Sequence, residues 1–520
     1  MTVIYQVSAE SSGQGLMNLE PSPPDAGDYR WHTYRLEERH APWKVLLPIA
    51  AKGPVLAVGI EGNGLAGLAR SWETVFVHRC RENELQWASE QGKSLGQDYR
   101  FERIGKVESK TPGYSAIAIS TNFPGAIDPG VAFRLLEPGG AALWVGSFRY
   151  MPSVTNLVQS GYHQIRRYAI LPPGTGKIIV PLGDGKLTQA GLNLYRPLRW
   201  YNQGAVKIGK LVADLPCRNL LGYKQVLLAR KPGRLAANAY LLDWLGQKMG
   251  FWLGDVVSIY TGWTKLVLQL YDSDGRVVGL AKLADIAIGR YGIEQESVAL
   301  QRLNKVAEFQ EIIPRVLTGG EWGGHTIQVQ TAVDLNDKKH STKLTLPHRE
   351  FLLSLSRLDQ SEGSLDKWPH WAKIWRWAHE VRCSSQKEAE ALRVAVERCG
   401  DNLGKGKIEF HRVHGDFTPW QTLLGPKGLT VLDWEESEEL GLPLMDAIHF
   451  VMMRDAVLYH RAPAIDQILN GSPFALDTSD EFTSLANLLH IPSDIARLVI
   501  LFELYKTQRN FYRAKMTWKQ

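Results

Sequence analysis

Read for its alternation of apolar and polar positions, the chain changes rhythm near its middle. In the first part, apolar runs stand at residues 45–49, 55–60 and 115–119, and further strands are signalled by 136–146 after a Pro-Gly-Gly turn and by 224–229. Apolar runs without alternation predict strands buried on both faces, as in a parallel sheet, and residues 115–119 read as an inner strand of that kind. The run at 55–60 passes through Glu61-Gly62-Asn63-Gly64 into residues 65–68, which reads as a strand, a glycine turn and a helix start. Residues 74–77 form a further strand that ends at His78, and residues 236–249 read as a linking helix. From residue 265 the apolar strands carry polar interruptions instead. Residues 265–271 and 276–283 read as two strands joined by Asp272-Ser273-Asp274-Gly275. Residues 294–303 follow with Ala299, Leu300 and Leu303 on one helical face. Later, residues 421–424 and 429–433 flank Gly425-Pro426-Lys427-Gly428, a hairpin that places Gln421 beside Asp433.

That hairpin carries the most specific chemistry of the chain. It is preceded by His414-Gly415-Asp416-Phe417-Thr418-Pro419-Trp420 and closes on Asp433-Trp434-Glu435. Two aspartates separated by one hairpin suit metal-assisted phosphoryl transfer, in which one carboxylate orients the attacking hydroxyl and another holds the metal. Upstream, Leu280 and Lys282 lie two apart on a strand and so share a face, offering an apolar contact for a base and an ammonium for phosphate oxygens. Tyr260-Thr261-Gly262-Trp263-Thr264 stands where a phosphate-covering loop belongs.

These motifs resemble the aminoglycoside phosphotransferase and choline kinase group of the protein-kinase-like superfamily, whose pattern is H-G-D-x-x-x-x-N, a hairpin, then I-D-W/F-E. Val278-Gly279-Leu280-Ala281-Lys282 is similar to the V-A-I-K strand of kinases. Gly441-Leu442-Pro443-Leu444-Met445-Asp446 is similar to the family's G-x-P-x-x-D segment. The resemblance covers residues 255–520. It implies ATP and Mg²⁺ as cofactors, Asp416 as catalytic base, His414 as brace of the loop, Gln421 and Asp433 as Mg²⁺ ligands, and Leu280, Lys282 and Gly262 at the nucleotide. Glu296 is taken as the partner of Lys282, with Glu294 as competitor. Asp446 is expected to cap or brace. Gln421 departs from the pattern by one methylene, which matters because Mg²⁺ demands near-ideal octahedral geometry.

The first half resembles class I S-adenosylmethionine-dependent methyltransferases, through the strand–glycine turn–helix at 55–68 and through Leu136-Glu137-Pro138-Gly139-Gly140-Ala141-Ala142-Leu143. Its binding chemistry departs from that family. The glycines run G-x-x-G-x-G, Ala57 stands where an acidic residue is usual, and His78 stands where a carboxylate takes the ribose hydroxyls. A degenerate, scaffolding domain without S-adenosylmethionine is the expectation. The stretch Arg166-Arg167-Tyr168-Ala169-Ile170-Leu171 carries no assignable chemistry and is expected at a sheet edge.

The resulting fold class is α/β and α+β multidomain: a Rossmann-like methyltransferase-type domain over 1–232, a helical linker over 233–254, and a bilobal kinase-like domain with an N-lobe over 255–335 and a C-lobe over 336–520. The length of 520 residues suits two or three such domains. A net charge of +6, from 60 basic and 54 acidic residues, is modest at that length and predicts no nucleic-acid partner. The start lacks a charged segment before an apolar run, and Lys44 and Lys52 interrupt residues 43–60, so neither a signal nor a membrane span is expected and the chain reads as cytoplasmic. Cys80, Cys217, Cys383 and Cys399 are scattered without zinc or disulfide spacing. Of 17 tryptophans, four fall within residues 368–377, and Trp368, Trp371 and Trp375 are expected on one helical face used for packing, or for a sugar or cationic acceptor. The expected activity is ATP-dependent phosphorylation of a small-molecule hydroxyl, such as that of a sugar or sugar-containing metabolite. A non-catalytic nucleotide-binding or assembly protein stays open, as does a methyltransferase with an accessory kinase-like domain. Oligomeric state is not readable from the sequence.

Overall fold

The computed structural model describes residues 41–516 apart from 52, 95–97, 106–112, 123–126, 172–177, 194–199, 216–220, 263, 334–337, 382–385 and 460–479. Cys217, Cys383, Lys52 and Trp263 lie outside the described residues. The chain divides into two compact units. One holds the described residues up to Ile293 together with Val316–Val333; the other holds Glu294–Arg315 and the described residues that follow Val333.

The first unit is built on one sheet of 13 strands. Its strands are β1 (Val55–Val58), β2 (Thr74–His78), β3 (Arg100–Arg103), β4 (Tyr114–Ser120), β5 (Leu136–Ser147), β6 (His163–Leu171), β7 (Ile178–Pro181), β8 (Lys224–Arg230), β9 (Leu253–Thr261), β10 (Leu266–Asp272), β11 (Val277–Ala284), β12 (Val316–Trp322) and β13 (His325–Gln330). The order is β12-β13-β11-β10-β9-β7-β6-β8-β5-β4-β1-β2-β3. Within it, β3-β2-β1-β4-β5 are mutually parallel, which is the Rossmann-like, doubly wound order with its switch point between β1 and β4. Every residue of β1 and β4 is buried, the physical reason those strands read as unbroken apolar runs.

From β5 onward the neighbours are antiparallel. β7 meets β9 through Ile178↔Tyr260 and Ile179↔Ile259, so the sheet runs without interruption into the antiparallel strands β9, β10, β11, β13 and β12. The basic stretch at Arg166 is therefore not at an edge: β6 is internal, between β7 and β8. Strand pairing on both sides overrides what its charge suggested. The linking helix is also shorter than expected, Leu241–Met249, and ends on Gly250 in the left-handed region at φ 74°.

Lys44, read from sequence only as a break in an apolar run, is itself buried. Its Nζ lies 2.5 Å from Asp285 Oδ2, which Arg70 Nε also meets at 3.0 Å. Burial raises the Asp285 carboxyl, but Arg70 and Lys44 outweigh it and hold the group well below the usual carboxylate range. Buried charges persist in this way only when paired.

The second unit contains a three-stranded sheet, β14 (Ser361–Gly363), β15 (Ile408–Val413) and β18 (Glu438–Gly441), and the hairpin of β16 (Thr422–Gly425) with β17 (Gly428–Val431). Helices Leu346–Leu355, Trp371–Glu380, Gln386–Leu403, Met445–Leu458, Asp480–Leu488 and Ser493–Met516 complete it. In Gln386–Leu403 the buried residues Leu392, Ala395, Val396, Cys399 and Leu403 recur at helical spacing. The tryptophan stripe falls elsewhere than its sequence suggested. Trp368 is buried but precedes the helix, Trp375 is 46% exposed, and Ile374, Trp377 and Ala378 face inward. The helix starts only at Trp371, so Trp368 cannot share its face. Among the described residues no helix is long and apolar enough to cross a membrane.

Candidate active site

β15 delivers the chain to His414, and the turn that follows is fixed by backbone requirements. Gly415 adopts φ 79°, and a Cβ there would lie 2.0 Å from the Glu436 carbonyl oxygen. Only glycine tolerates both conditions. Asp446, in the first turn of the helix Met445–Leu458, accepts from His414 N at 2.8 Å with Oδ2 and from Gly415 N at 2.9 Å with Oδ1. Asp446 therefore braces the loop rather than capping its own helix, whose N-cap Leu444 sits at φ 64°. His414 Nδ1 accepts from Asp416 N at 3.2 Å, and its Nε2, then the protonated nitrogen, donates to Leu432 O at 2.9 Å. Burial lowers the His414 pKa and favours that neutral form.

Below the loop lies an aromatic floor. Phe351 stacks on Phe417 at 5.6 Å, Trp434 tilts against His414 at 4.6 Å, and Phe450 adjoins Phe417 at 5.9 Å. These rings are buried, so the loop rests on close-packed surface that resists displacement.

The hairpin brings the polar groups together. Thr422↔Val431 is the first pair of its ladder, and Leu432 N donates to Gln421 O at 2.9 Å, extending the pairing by one step. Gln421 Nε2 then donates to Asp433 Oδ2 at 3.1 Å and to Asp416 Oδ2 at 3.3 Å. Asp433 adopts φ 65°, a conformation that aspartate reaches at modest cost and that clusters at functional sites. Gln421 Oε1 is buried with no hydrogen-bond partner among the described residues. Trp434 N donates to Glu296 Oε1 at 3.2 Å, and Glu296 is fully buried.

Three further groups, none of them foreseen, surround Asp416. His449 Nε2 lies 3.1 Å from Asp416 Oδ1, and His449 Nδ1 lies 2.6 Å from Glu503 Oε2. Lys506 Nζ donates to Gly415 O at 2.8 Å and lies 3.4 Å from Glu436 Oε2. Burial alone would raise the Asp416 carboxyl, but the His449 hydrogen bond, the His449 charge and Lys506 bring it below the ordinary range. Burial would likewise lower His449, yet Glu503 chiefly, and Asp416 besides, raise it to about 9. A sequence signal did exist. His449 follows Asp446 at i+3 on one helix, and Glu503 is a lone carboxylate after the apolar run 498–502, a position where a charge survives only with a partner.

Of the residues expected at the nucleotide, Lys282, Leu280 and Gly262 belong to the first unit and Glu296 to the second. Lys282 pairs with Val267 on one side and Gln328 on the other, and Leu280 with Gln269 and Gln330. Both side chains thus share a face of β11, and Lys282 is buried. Gly262 N donates to Lys265 O at 2.9 Å in the tight turn from β9 to β10, where a Cβ would lie 2.7 Å from that oxygen. At the carboxyl end of β1, Gly59 takes φ 60°, and Gly62 N, at the start of the helix Gly62–Ala69, donates to Glu84 Oε2 at 2.5 Å. A carboxylate of the protein itself thus occupies a helix N-terminus of the type that elsewhere receives anionic ligand groups. Ala57 is buried within β1, and the His78 ring is bonded to Ile104 O at 3.0 Å.

No family model matches this sequence, and no curated protein matches it. Among solved structures it is similar to the bifunctional kinase-methyltransferase WbdD, at 11% identity over 93% of this chain and 92% of that one, with a TM-score of 0.22. It is similar to the GDP and kanamycin complex of APH(2")-IIia, at 10% identity over 50% of this chain and 90% of that one, with a TM-score of 0.31. It is also similar to a SAM-dependent methyltransferase from Thiobacillus denitrificans in complex with S-adenosyl-L-homocysteine, at 15% identity over 41% of this chain and 100% of that one, with a TM-score of 0.23.

Proposed function

We propose that this chain, methyltransferase-like in its first half and kinase-like in its second, is a phosphotransferase that moves the γ-phosphate of ATP to a hydroxyl of a small molecule. One observation carries the reading: Asp416, Gln421 and Asp433 converge on one another at the end of a hairpin, with an amide oxygen buried and unsatisfied beside two carboxylates. The residues fit Mg²⁺. Among the described residues no three His, Cys, Asp or Glu side chains form a metal cluster, but Mg²⁺ asks for less, using one or two carboxylates together with waters and substrate phosphates. Turning the Gln421 amide by half a rotation exchanges its NH₂ for Oε1 and presents oxygens alone, a set that calls for a cation. Gln421 and Asp433 would hold the ion, which supplies charge neutralisation for the transferring phosphoryl group.

In this reading Asp416 orients the acceptor hydroxyl and takes its proton as the new O–P bond forms and the bond to ADP breaks. Lys282 serves the phosphate oxygens and Leu280 the base. The acceptor class is a sugar or sugar-containing metabolite. The same bridging amide favours a second reading, a non-catalytic nucleotide-binding protein, because Gln421 Nε2 already satisfies both carboxylates. Phosphoryl transfer from ATP across a panel of hydroxyl metabolites, with and without Mg²⁺, separates the two. Mg²⁺-dependent transfer is expected, and Gln421→Asn should stay within about tenfold of wild type, equivalent to about 1.4 kcal/mol of barrier. Inertness on every acceptor together with ATP binding indifferent to Mg²⁺ defeats the reading.

A further inference from the structure

The three buried groups Asp416, His449 and Glu503 form a line of carboxylate, imidazole and carboxylate. His449 Nε2 stands 3.1 Å from Asp416 Oδ1 and Nδ1 stands 2.6 Å from Glu503 Oε2. An ionised carboxylate can only accept, and a neutral imidazole has one donor nitrogen and one lone pair. A neutral ring would therefore aim its lone pair at a carboxylate oxygen on one side or the other. With both carboxylates ionised, both contacts are satisfied at once only when both ring nitrogens carry protons. The other Glu503 oxygen, Oε1, is buried and has no hydrogen-bond partner among the described residues, so His449 is the group that compensates this carboxylate most directly. Among the described residues Lys506 also faces His449, and its Nζ is bonded to Gly415 O and pairs with Glu436. The imidazolium between two carboxylates is consistent with its pKa, raised to about 9.

We infer that His449, a doubly protonated imidazolium clamped by Glu503, is the positioning residue of Asp416, holding Oδ1 so that Oδ2 is the oxygen that meets the acceptor hydroxyl. The inference deepens the phosphotransferase reading and rests on it. The two Asp416 oxygens are unequal. Oδ1 is taken by a charged donor, whereas Oδ2 has the longer, 3.3 Å contact with the Gln421 amide, which a hydroxyl can replace. The proton balance follows. The hydroxyl proton passes to Oδ2 as the O–P bond forms, and it goes no further, because His449 already carries a proton on each nitrogen. His449 thus differs from the histidine of a nucleophile–histidine–carboxylate triad, which is neutral and accepts the proton itself. The arrangement instead fixes a carboxylate from behind, as a metal-bound histidine is fixed by the carboxylate on its far nitrogen.

Two measurements test this on the full chain. ¹⁵N spectra of the wild-type protein at neutral pH should show both ring nitrogens of His449 protonated, and Glu503→Gln should convert part of that signal to a neutral tautomer. In steady-state kinetics His449→Ala should lower kcat by about 10- to 100-fold through loss of alignment, with KM for ATP moving by less than about twofold. His449→Gln, whose Nε2 amide can still donate to Oδ1, should recover most of that loss. An active wild type with a singly protonated ring overturns the clamp alone, and so does a His449→Gln variant as impaired as His449→Ala. A wild type inert on every acceptor and binding ATP without regard to Mg²⁺, but with both nitrogens protonated, overturns the phosphotransferase reading and supports the clamp. Should His449→Ala fail to fold, the wild-type spectrum and the glutamine variant still decide.

Discussion

Asp416 and Asp433 are two aspartates joined through one amide, and what surrounds each predicts different consequences on losing charge. Asp416 is held by His449 and Gln421 and faces the acceptor in the proposed reaction, whereas Asp433 takes the Gln421 amide from the far side of the hairpin. Asp416→Asn should abolish transfer with little loss of Mg-ATP affinity, while Asp433→Asn should weaken both, a separation that calorimetry and transfer assays check together. The clamp behind Asp416 makes a second prediction. His449 has its pKa raised from 6.5 to about 9 in the folded state. The folded protein holds that proton more tightly than the unfolded one, so the stabilisation is fully present below pH 6.5 and is lost as pH rises through about 9. Thermal melts from pH 6 to pH 10 should show this alkaline decline, and Glu503→Gln should flatten it. A decline identical in the two proteins sinks the assignment. At this scale the sequence exposed Asp416, Gln421 and Asp433, because their spacing is local. It did not expose Glu503, whose partner lies 54 positions away, because sequence distance carries no record of which buried charges meet.

Elements, rather than single side chains, set the accuracy of the loop. Gly415 lies under the Glu436 carbonyl at φ 79°, while Gly428, in the hairpin turn at φ 102°, has open space where a Cβ would stand. Gly415→Ala combines backbone strain of about 1–3 kcal/mol with a clash against backbone that cannot step aside. It should lower the melting temperature and abolish transfer, whereas Gly428→Ala bears strain of that order only and should retain transfer. Equal activity of the two variants counts against a rigid loop. Strands and the hairpin were legible because an apolar run bounded by turn residues is a property of neighbouring residues, as β10, β11, β16 and β17 illustrate. The helical face of Ala299, Leu300 and Leu303 was legible for the same reason, and all three are buried. The tryptophan stripe was misread because periodicity assumes that the helix already exists at Trp368, whereas it starts at Trp371.

Across the described residues, the parallel strands β3-β2-β1-β4-β5 and the antiparallel strands β9 to β13 share one sheet through the pairing of β7 with β9. A ligand test of the first half therefore belongs on the full protein, since a cut between β8 and β9 would strip β7 of a neighbour and bare an edge. Calorimetry with S-adenosylmethionine on the full chain should give weak binding or none, for the reason that Glu84 occupies the amide of Gly62 and the His78 ring at the end of β2 is bonded to Ile104 O. A low-micromolar affinity would reverse that expectation. The sequence by itself determined strands such as β1, β2, β4, β10 and β11, the hairpin of β16 with β17 and the cluster of Asp416, Gln421 and Asp433, because apolar runs, turn chemistry and a short motif are encoded within a few neighbouring residues. Only the tertiary structure decided that β6 is internal, that Lys44 is buried against Asp285, and that His449 and Glu503 stand behind Asp416. Those outcomes depend on long-range pairing of strands and charges, where the loss of water must be repaid by a partner whose position no local pattern records.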